Sequence, residues 1–295
     1  MKQNIIQDFR RSSSFSDSEV KLFQQLARST LKYSTGIFVD ETHGTTSNVE
    51  YISIRGVKER CEISDLLIVT VDPSSQYARA TFWQAKKETK PQWIKNVGSQ
   101  NISDGCFDFK CQFNQWELLS CRPDIAGVGA FSPPKTLLSS SHSPSIGSYG
   151  VFYESGSNLE VNYSVAEFIT CTSLPKVNSR VTKAQPRMAI NNKYAKYSIG
   201  FEEKIVCKNL DSFIGALLNF EIGVVLNKSK QEDIWLLKYV KAQVKASKNV
   251  IYGNDDITID QLLPDIPDIP DNEFQEYDDS YASGGISILI VSARP

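Results

Sequence analysis

The sequence predicts an α/β protein whose mixed central sheet carries helices on both faces. Three observations carry that prediction. "SDSEVKLFQQLARSTLKY" opens on helix-capping residues and then repeats Val20, Phe23, Ala27 and Leu31 at helical spacing. "DLLIVTVD" is apolar on both faces, as a central strand is when two layers cover it. "ARATFWQAKK" follows as a second strand across the turn Asp72-Pro73-Ser74-Ser75, and a helical pattern follows in its turn. Helices and strands that alternate in this way build a layered α/β core.

The remaining elements fit around that core. "VEYISIRG" alternates like a half-buried strand, and "FDFKCQFNQWELLSC" predicts a helix ended by Arg122-Pro123. "IAGVGAF" and "SYGVFYES" read as strands on either side of a Ser/Pro-rich loop over 132–148. "VAEFITC" fits a short strand or a short helix equally well. Beyond about residue 176 the character changes. "DSFIGALLNFEIGVVL" and "QEDIWLLKYVKAQVKAS" predict helices, the second acidic at its start and basic at its end, as the helix dipole favours. "PDIPDIPDNEFQEYDDS" is Pro-rich, acidic and irregular, and "GISILIVSA" closes the chain as a strand. The organisation expected is a unit over 1–175 and a region over 176–295, either an elaboration of the first or a second domain, with a regulatory or interaction role.

Composition bounds the function classes. The 295 residues, 41% apolar and 22% charged, describe a soluble globular chain with material for a large core. No apolar run is long enough to cross a bilayer. The N-terminal stretch "MKQNIIQDFRRSSSFSDSE" lacks the hydrophobic segment of a signal peptide, so cytoplasmic residence is expected. Six cysteines form no CxxC pair, which predicts reduced thiols. With only His43 and His142 present, a histidine triad or histidine-built zinc site has little to draw on. A metal here would be a hard cation held through oxygen.

The net charge of −2 conceals an asymmetry. Residues 180–248 hold 13 Lys/Arg against 6 Asp/Glu, while 253–281 hold 10 Asp/Glu and no Lys or Arg. A basic surface for a polyanion and an acidic segment able to compete for it are the expectation. The predicted helix over 231–248 places Lys238, Lys241, Lys245 and Lys248 in one stripe beside Ile234, Leu237, Val240 and Val244. That stripe is either a phosphate-binding face or an ordinary solvated one.

One constellation points to chemistry. Asp65 stands at the mouth of the buried strand, and Gln84-Ala85-Lys86 ends the next one, 19 residues from Asp65 to Gln84. On a strand Phe82, Gln84 and Lys86 share a face. If the two strands are neighbours, Asp65, Gln84 and Lys86 meet at one edge of the sheet. In this the sequence resembles the PD-(D/E)xK nuclease superfamily, in which an Asp opens one strand and (D/E)-x-K ends the next within an αβββαβ core. Gln84 stands where that pattern has an acid. This is similar to the Q-x-K variant of Mrr-type restriction enzymes and of bacterial anti-phage nuclease effectors. The resemblance covers residues 15 to 130 or thereabouts.

The resemblance implies a restriction-endonuclease-like fold and metal-dependent cleavage of DNA, with RNA as an alternative substrate, in bacterial defence or restriction. It implies Mg²⁺ or Mn²⁺ held by Asp65, Gln84 and the Ala85 carbonyl, with Glu19 of the first helix as a further ligand and Glu62 as a weaker candidate. The residue types suit the task. Mg²⁺ takes oxygen ligands and keeps several waters, and a lysine beside it orients the attacking water and offsets developing charge. Lys87, Lys90 and Lys95 follow the site and are candidate phosphate contacts. Gln112 and Trp116, four apart, echo a Gln-x-x-x-Tyr element of RecB-like nucleases. A rival class, a non-catalytic nuclease-fold module that binds nucleic acid or scaffolds a complex, keeps the fold and drops the chemistry. Control by self-assembly or by a regulatory protein partner is expected of any nuclease that must spare its host.

Overall fold

A computed structural model describes residues 1–41, 47–88, 106–129, 131–171, 187–191, 198–199, 202–255, 257–264, 266 and 285–293. Helix α1 (Lys2–Ser12) buries Ile5, Ile6 and Phe9 along one stripe. Sequence reasoning passed over it, because so short an amphipathic segment is held by packing rather than by propensity. Helix α2 (Glu19–Leu31) begins at Ser18, whose side chain accepts from the Lys21 N–H at 3.2 Å, and buries Leu22, Phe23, Leu26 and Ala27.

Strands β1 (Gly36–Val39), β2 (Asn48–Ile52), β3 (Lys58–Glu62), β4 (Leu66–Asp72) and β5 (Tyr77–Lys87) follow. The β4–β5 turn is held by Asp72, whose carboxylate accepts from Ser74 and Ser75. The expected helix over 107–121 divides. Its first part is strand β6 (Cys106–Lys110), and helix α3 runs only over Phe113–Cys121, ended by Arg122 at a positive φ of 50°. Phe107 and Phe109 alternate with Asp108 and Lys110, a two-residue period that pairing with a distant strand selects over the helix.

Strand β7 (Ile125–Gly127) precedes the long hairpin β8 (Gly147–Ser155) and β9 (Asn158–Val165). "VAEFITC" turns out to be both of its alternatives, a 3-10 turn at 166–168 and then β10 (Ile169–Cys171). β11 (Arg187–Asn191), β12 (Ser198–Ile199), β13 (Glu203–Lys204) and β14 (Val206–Cys207) lead to helix α4 (Leu210–Leu218). The helix expected through 226 stops there and gives way to β15 (Val224–Val225). Helix α5 (Gln231–Ala246), β16 (Val250–Tyr252), α6 (Ile259–Leu262) and β17 (Ser287–Ser292) complete the described chain.

Nine strands form one mixed sheet, in the order β14-β9-β8-β5-β4-β17-β1-β16 with β15 added to β5. β17 runs parallel to β4 and antiparallel to β1, so the C-terminal strand lies mid-sheet and all six of its residues are buried. β5 and β8 are parallel, joined through α3, while β4 and β5 are an antiparallel hairpin. Small antiparallel sheets, β10-β11-β6, β3-β2-β7 and β12-β13, pack around it. The expected boundary at 175/176 lies outside the described residues.

The two faces of β5 differ in chemistry. Trp83 stacks on Phe213 of α4 at 6.3 Å and meets Phe152 edge-on at 5.9 Å, while Phe9 of α1 packs on Phe152. A Cβ at Gly150 would lie 1.7 Å from the Trp83 ring, so the close approach of β8 to this indole requires glycine. Phe82, Gln84 and Lys86 face the other way, toward β6 and α3. There Tyr149, Gln84's neighbour in register, packs against Phe109 at 5.7 Å and accepts from the Cys111 thiol at 3.9 Å.

Candidate active site

The β4–β5 ladder ends at Leu66 opposite Trp83, but β5 continues to Lys87, paired from Phe82 onward with β8 on its other side. Glu88 N–H donates to the Phe152 carbonyl, so the N–H groups of Ala85 and Lys87 point the opposite way, where β4 has ended. Two carboxylates take the place of the missing strand. Asp65 Oδ2 accepts from Ala85 N at 2.7 Å, and Glu19 Oε1 accepts from Lys87 N at 2.9 Å. Such charge-assisted bonds fix both acids two residues apart along one strand end, with Lys86 between them. Asp65 comes from the bend before β4 and Glu19 from the first residue of α2, so three separate elements converge here.

Lys86 forms no ion pair within 4 Å with a described residue. Its charge is nonetheless felt throughout the cluster. Burial pushes the Glu19 carboxyl up, Lys86 pulls it down and Asp65 pushes it up again. Burial, reinforced by the Asp65 charge, pushes Glu62 up to about 7, against the Ser47 hydroxyl at 3.2 Å and Lys86. On a regular strand, residues three apart such as Glu62 and Asp65 would face opposite ways. The two residues do not share a strand. Glu62 ends β3 in a different sheet, and the chain turns through Ile63 and Ser64 before reaching Asp65. Behind Lys86, burial holds the Cys111 thiol up at about 12, so it stays protonated and inert.

Gln84 is fully buried, and neither Oε1 nor Nε2 has a hydrogen-bond partner among the described residues. An unpaired buried amide costs about 1–3 kcal/mol, which the fold accepts without return unless something else enters the site. No group of three His, Cys, Asp or Glu among the described residues is arranged to hold a metal ion. The donors carried by the elements that meet here are oxygens: Asp65 Oδ1, the second oxygen of Glu19 and, on β5 itself, the amide oxygen of Gln84. That set fits a hard divalent cation that keeps waters in its shell, and suits no soft metal.

The other residues singled out from sequence fare unevenly. Lys87 donates to the Asp17 carbonyl at 2.8 Å and lies over the Phe15 ring, on the α2 side of the strand. Lys90 and Lys95 lie outside the described residues. Gln112 is the residue before α3, and its carbonyl accepts from Trp116 N; the Trp116 indole donates to the Ile169 carbonyl at 3.0 Å. The lysine stripe is broken up. α5 ends at Ala246, leaving Lys248 beyond it; Lys238 is half-buried. Lys241 is buried, donating to the Ile266 carbonyl at 2.6 Å and pairing with Asp260 at 2.7 Å, while Lys245 reaches Asp260 at 3.4 Å. Lys241 therefore ties α6 to α5 and offers no free ammonium to a phosphate. Most of the acidic stretch beyond Asp260 lies outside the described residues.

One polar residue on this sheet face escaped sequence reasoning. Asn162 of β9 is fully buried, and both its amide atoms lack a partner among the described residues. The signal was present in "NLEVNYSV", where Leu159, Val161, Tyr163 and Val165 alternate with Glu160, Asn162 and Ser164. Comparison with protein-family models, with curated proteins and with solved structures finds no match to this chain. Among the described residues no helix is long and apolar enough to cross a membrane.

Proposed function

We propose that this protein is a divalent-metal-dependent phosphodiesterase of the PD-(D/E)xK type that cleaves DNA. The observation that carries the reading is the projecting end of β5. Asp65 and Glu19 cap its two open N–H groups, Lys86 stands between them without an ion-pair partner among the described residues, and the buried amide of Gln84 beside it is unsatisfied. The order α2, β1, β4, β5, α3, β8 supports it, since a hairpin followed by a helical crossover to a parallel strand is compatible with the αβββαβ arrangement.

Asp65, Gln84, Glu19 and the Ala85 carbonyl would hold Mg²⁺ or Mn²⁺. Such a cation, when bound, supplies charge that polarises the phosphodiester and lowers the pKa of a water. Lys86 hydrogen-bonds and orients the attacking water and offsets negative charge as it develops on the phosphate. Gln84 adds an oxygen without adding charge, so metal is held less tightly than by an all-carboxylate site. Bacterial defence in the cytoplasm, under the control of a partner protein or of self-assembly, is the setting this reading implies.

A second reading, a nucleic-acid-binding module without catalysis, is favoured by the neutral Gln84 and by the lack of a three-carboxylate cluster among the described residues. Incubating the full chain with supercoiled plasmid and with structured RNA, with Mg²⁺, Mn²⁺ or chelator, separates the two. Metal-dependent cutting supports the enzyme; binding with no cutting in either metal supports the module.

A further inference from the structure

Sheet register places Asn162 in relation to the site. Lys86 of β5 pairs with Val151 of β8, and Val151 pairs with Asn162 of β9. Directly paired residues of neighbouring strands share a face, so Lys86, Val151 and Asn162 form one row across three strands. The row before it runs from Gln84 through Tyr149 to Ser164. Two strand spacings separate the backbones of Lys86 and Asn162 by about 10 Å.

Gln84 and Asn162 are also the two carboxamides, among the described residues, in which both polar atoms are buried and unpartnered. Native folds pair nearly all such groups, so two on one face beside a candidate catalytic lysine mark ground prepared for a ligand. A carboxamide presents a donor and an acceptor in one plane. That pattern matches the N6 and N7 groups of adenine.

Resting on the phosphodiesterase reading, we propose that Asn162 is a specificity-determining residue whose amide hydrogen-bonds the edge of a nucleobase, adenine foremost, next to the scissile phosphate. Because Asn162 is fully buried, the base leaves its stack to reach it, which makes single-stranded or locally opened nucleic acid the form that engages the site.

The test uses the full chain, its Asn162→Leu and Asn162→Asp variants, and fluorescein-labelled dA, dC and dT twelve-mers with Ca²⁺ in place of Mg²⁺. The wild type should bind the dA oligomer about tenfold more tightly than the others, and Asn162→Leu should bind all three alike. Asn162→Leu should melt at or above the wild-type temperature, since it removes an unpaired polar group without opening a cavity; Asn162→Asp should lose the dA preference. A fall of several degrees in the melting temperature of Asn162→Leu with the preference for dA retained would make the amide a structural, water-bonded group and overturn the proposal. Binding by the wild type with no base preference, unchanged in Asn162→Leu, would sink this inference and leave the phosphodiesterase reading standing. No binding to any oligomer and no cleavage would end both.

Discussion

The Asp65 carboxylate accepts the Ala85 N–H at 2.7 Å, so the acid that heads β4 is hydrogen-bonded to the strand end that carries Lys86. The bond gives Asp65 a structural duty separable from any chemical one. Asp65→Ala leaves the Ala85 N–H open and should cost about 1–3 kcal/mol in urea unfolding. Asp65→Asn keeps an acceptor and should cost less than about 1 kcal/mol, yet lower cleavage on the order of a hundredfold, as Asp65→Ala does. Equal stability losses in the two variants would show that the charge, and not the hydrogen bond, holds the strand end.

Gln84→Glu tests the amide as an oxygen donor. It places a carboxylate at a fully buried position, so in chelator the variant should melt several degrees below the wild type. Adding Mg²⁺ should raise its melting temperature more than that of the wild type, because a cation bound only to the folded state stabilises by mass action. Equal shifts on adding metal would place the cation away from Gln84.

Glu62 gives a pH signature. Its carboxyl titrates near 7 in the folded chain against an ordinary value of 4.5, because burial and the Asp65 charge disfavour the anion. Between those two values the unfolded chain has already lost a proton that the folded chain retains, so this group lowers stability as pH rises through the window. Glu62→Gln removes the effect. Its stability relative to the wild type should be greater at about pH 8 than at about pH 4.5. Parallel stability curves for the two proteins would mean that Glu62 is solvated.

Lys241 and Lys245 should behave differently despite sitting one turn apart. Lys241→Met leaves the Ile266 carbonyl without its donor and frees α6, and should cost about 1–2 kcal/mol. Lys245→Met removes a half-exposed contact to the same Asp260 and should change stability by less than about 0.5 kcal/mol. Equal losses of DNA binding in the two variants, with no change in thermal unfolding, would restore the lysine stripe as a binding face.

What was legible in the sequence was what short-range periodicity controls. The β4–β5 pair, its turn and the common face of Gln84 and Lys86 follow from a two-residue repeat and a Pro-containing turn. Glu19 was named through a family resemblance, and the structure brings its carboxylate to the Lys87 N–H. The misses lie where distant chain decides. β6 is a strand because β11 pairs with it, and no local pattern announces that partner. Glu62 joins the cluster because β3 belongs to another sheet, and Lys241 is buried because Asp260 and Ile266 close over it. The mid-sheet position of β17 is a matter of topology, which an apolar run alone does not encode.

Lys86 is the residue on which a catalytic site at the end of β5 depends most directly. Purified wild type and Lys86→Ala should be compared on a labelled DNA substrate under single-turnover conditions, with Mg²⁺, with Mn²⁺ and with chelator, after confirming that both melt at the same temperature. The wild type should cut only with metal, and Lys86→Ala should retain its fold and its DNA affinity while losing cleavage on the order of a thousandfold. Cleavage by Lys86→Ala at the wild-type rate, or no cleavage by the wild type under any of these conditions, would contradict a catalytic site at the end of β5.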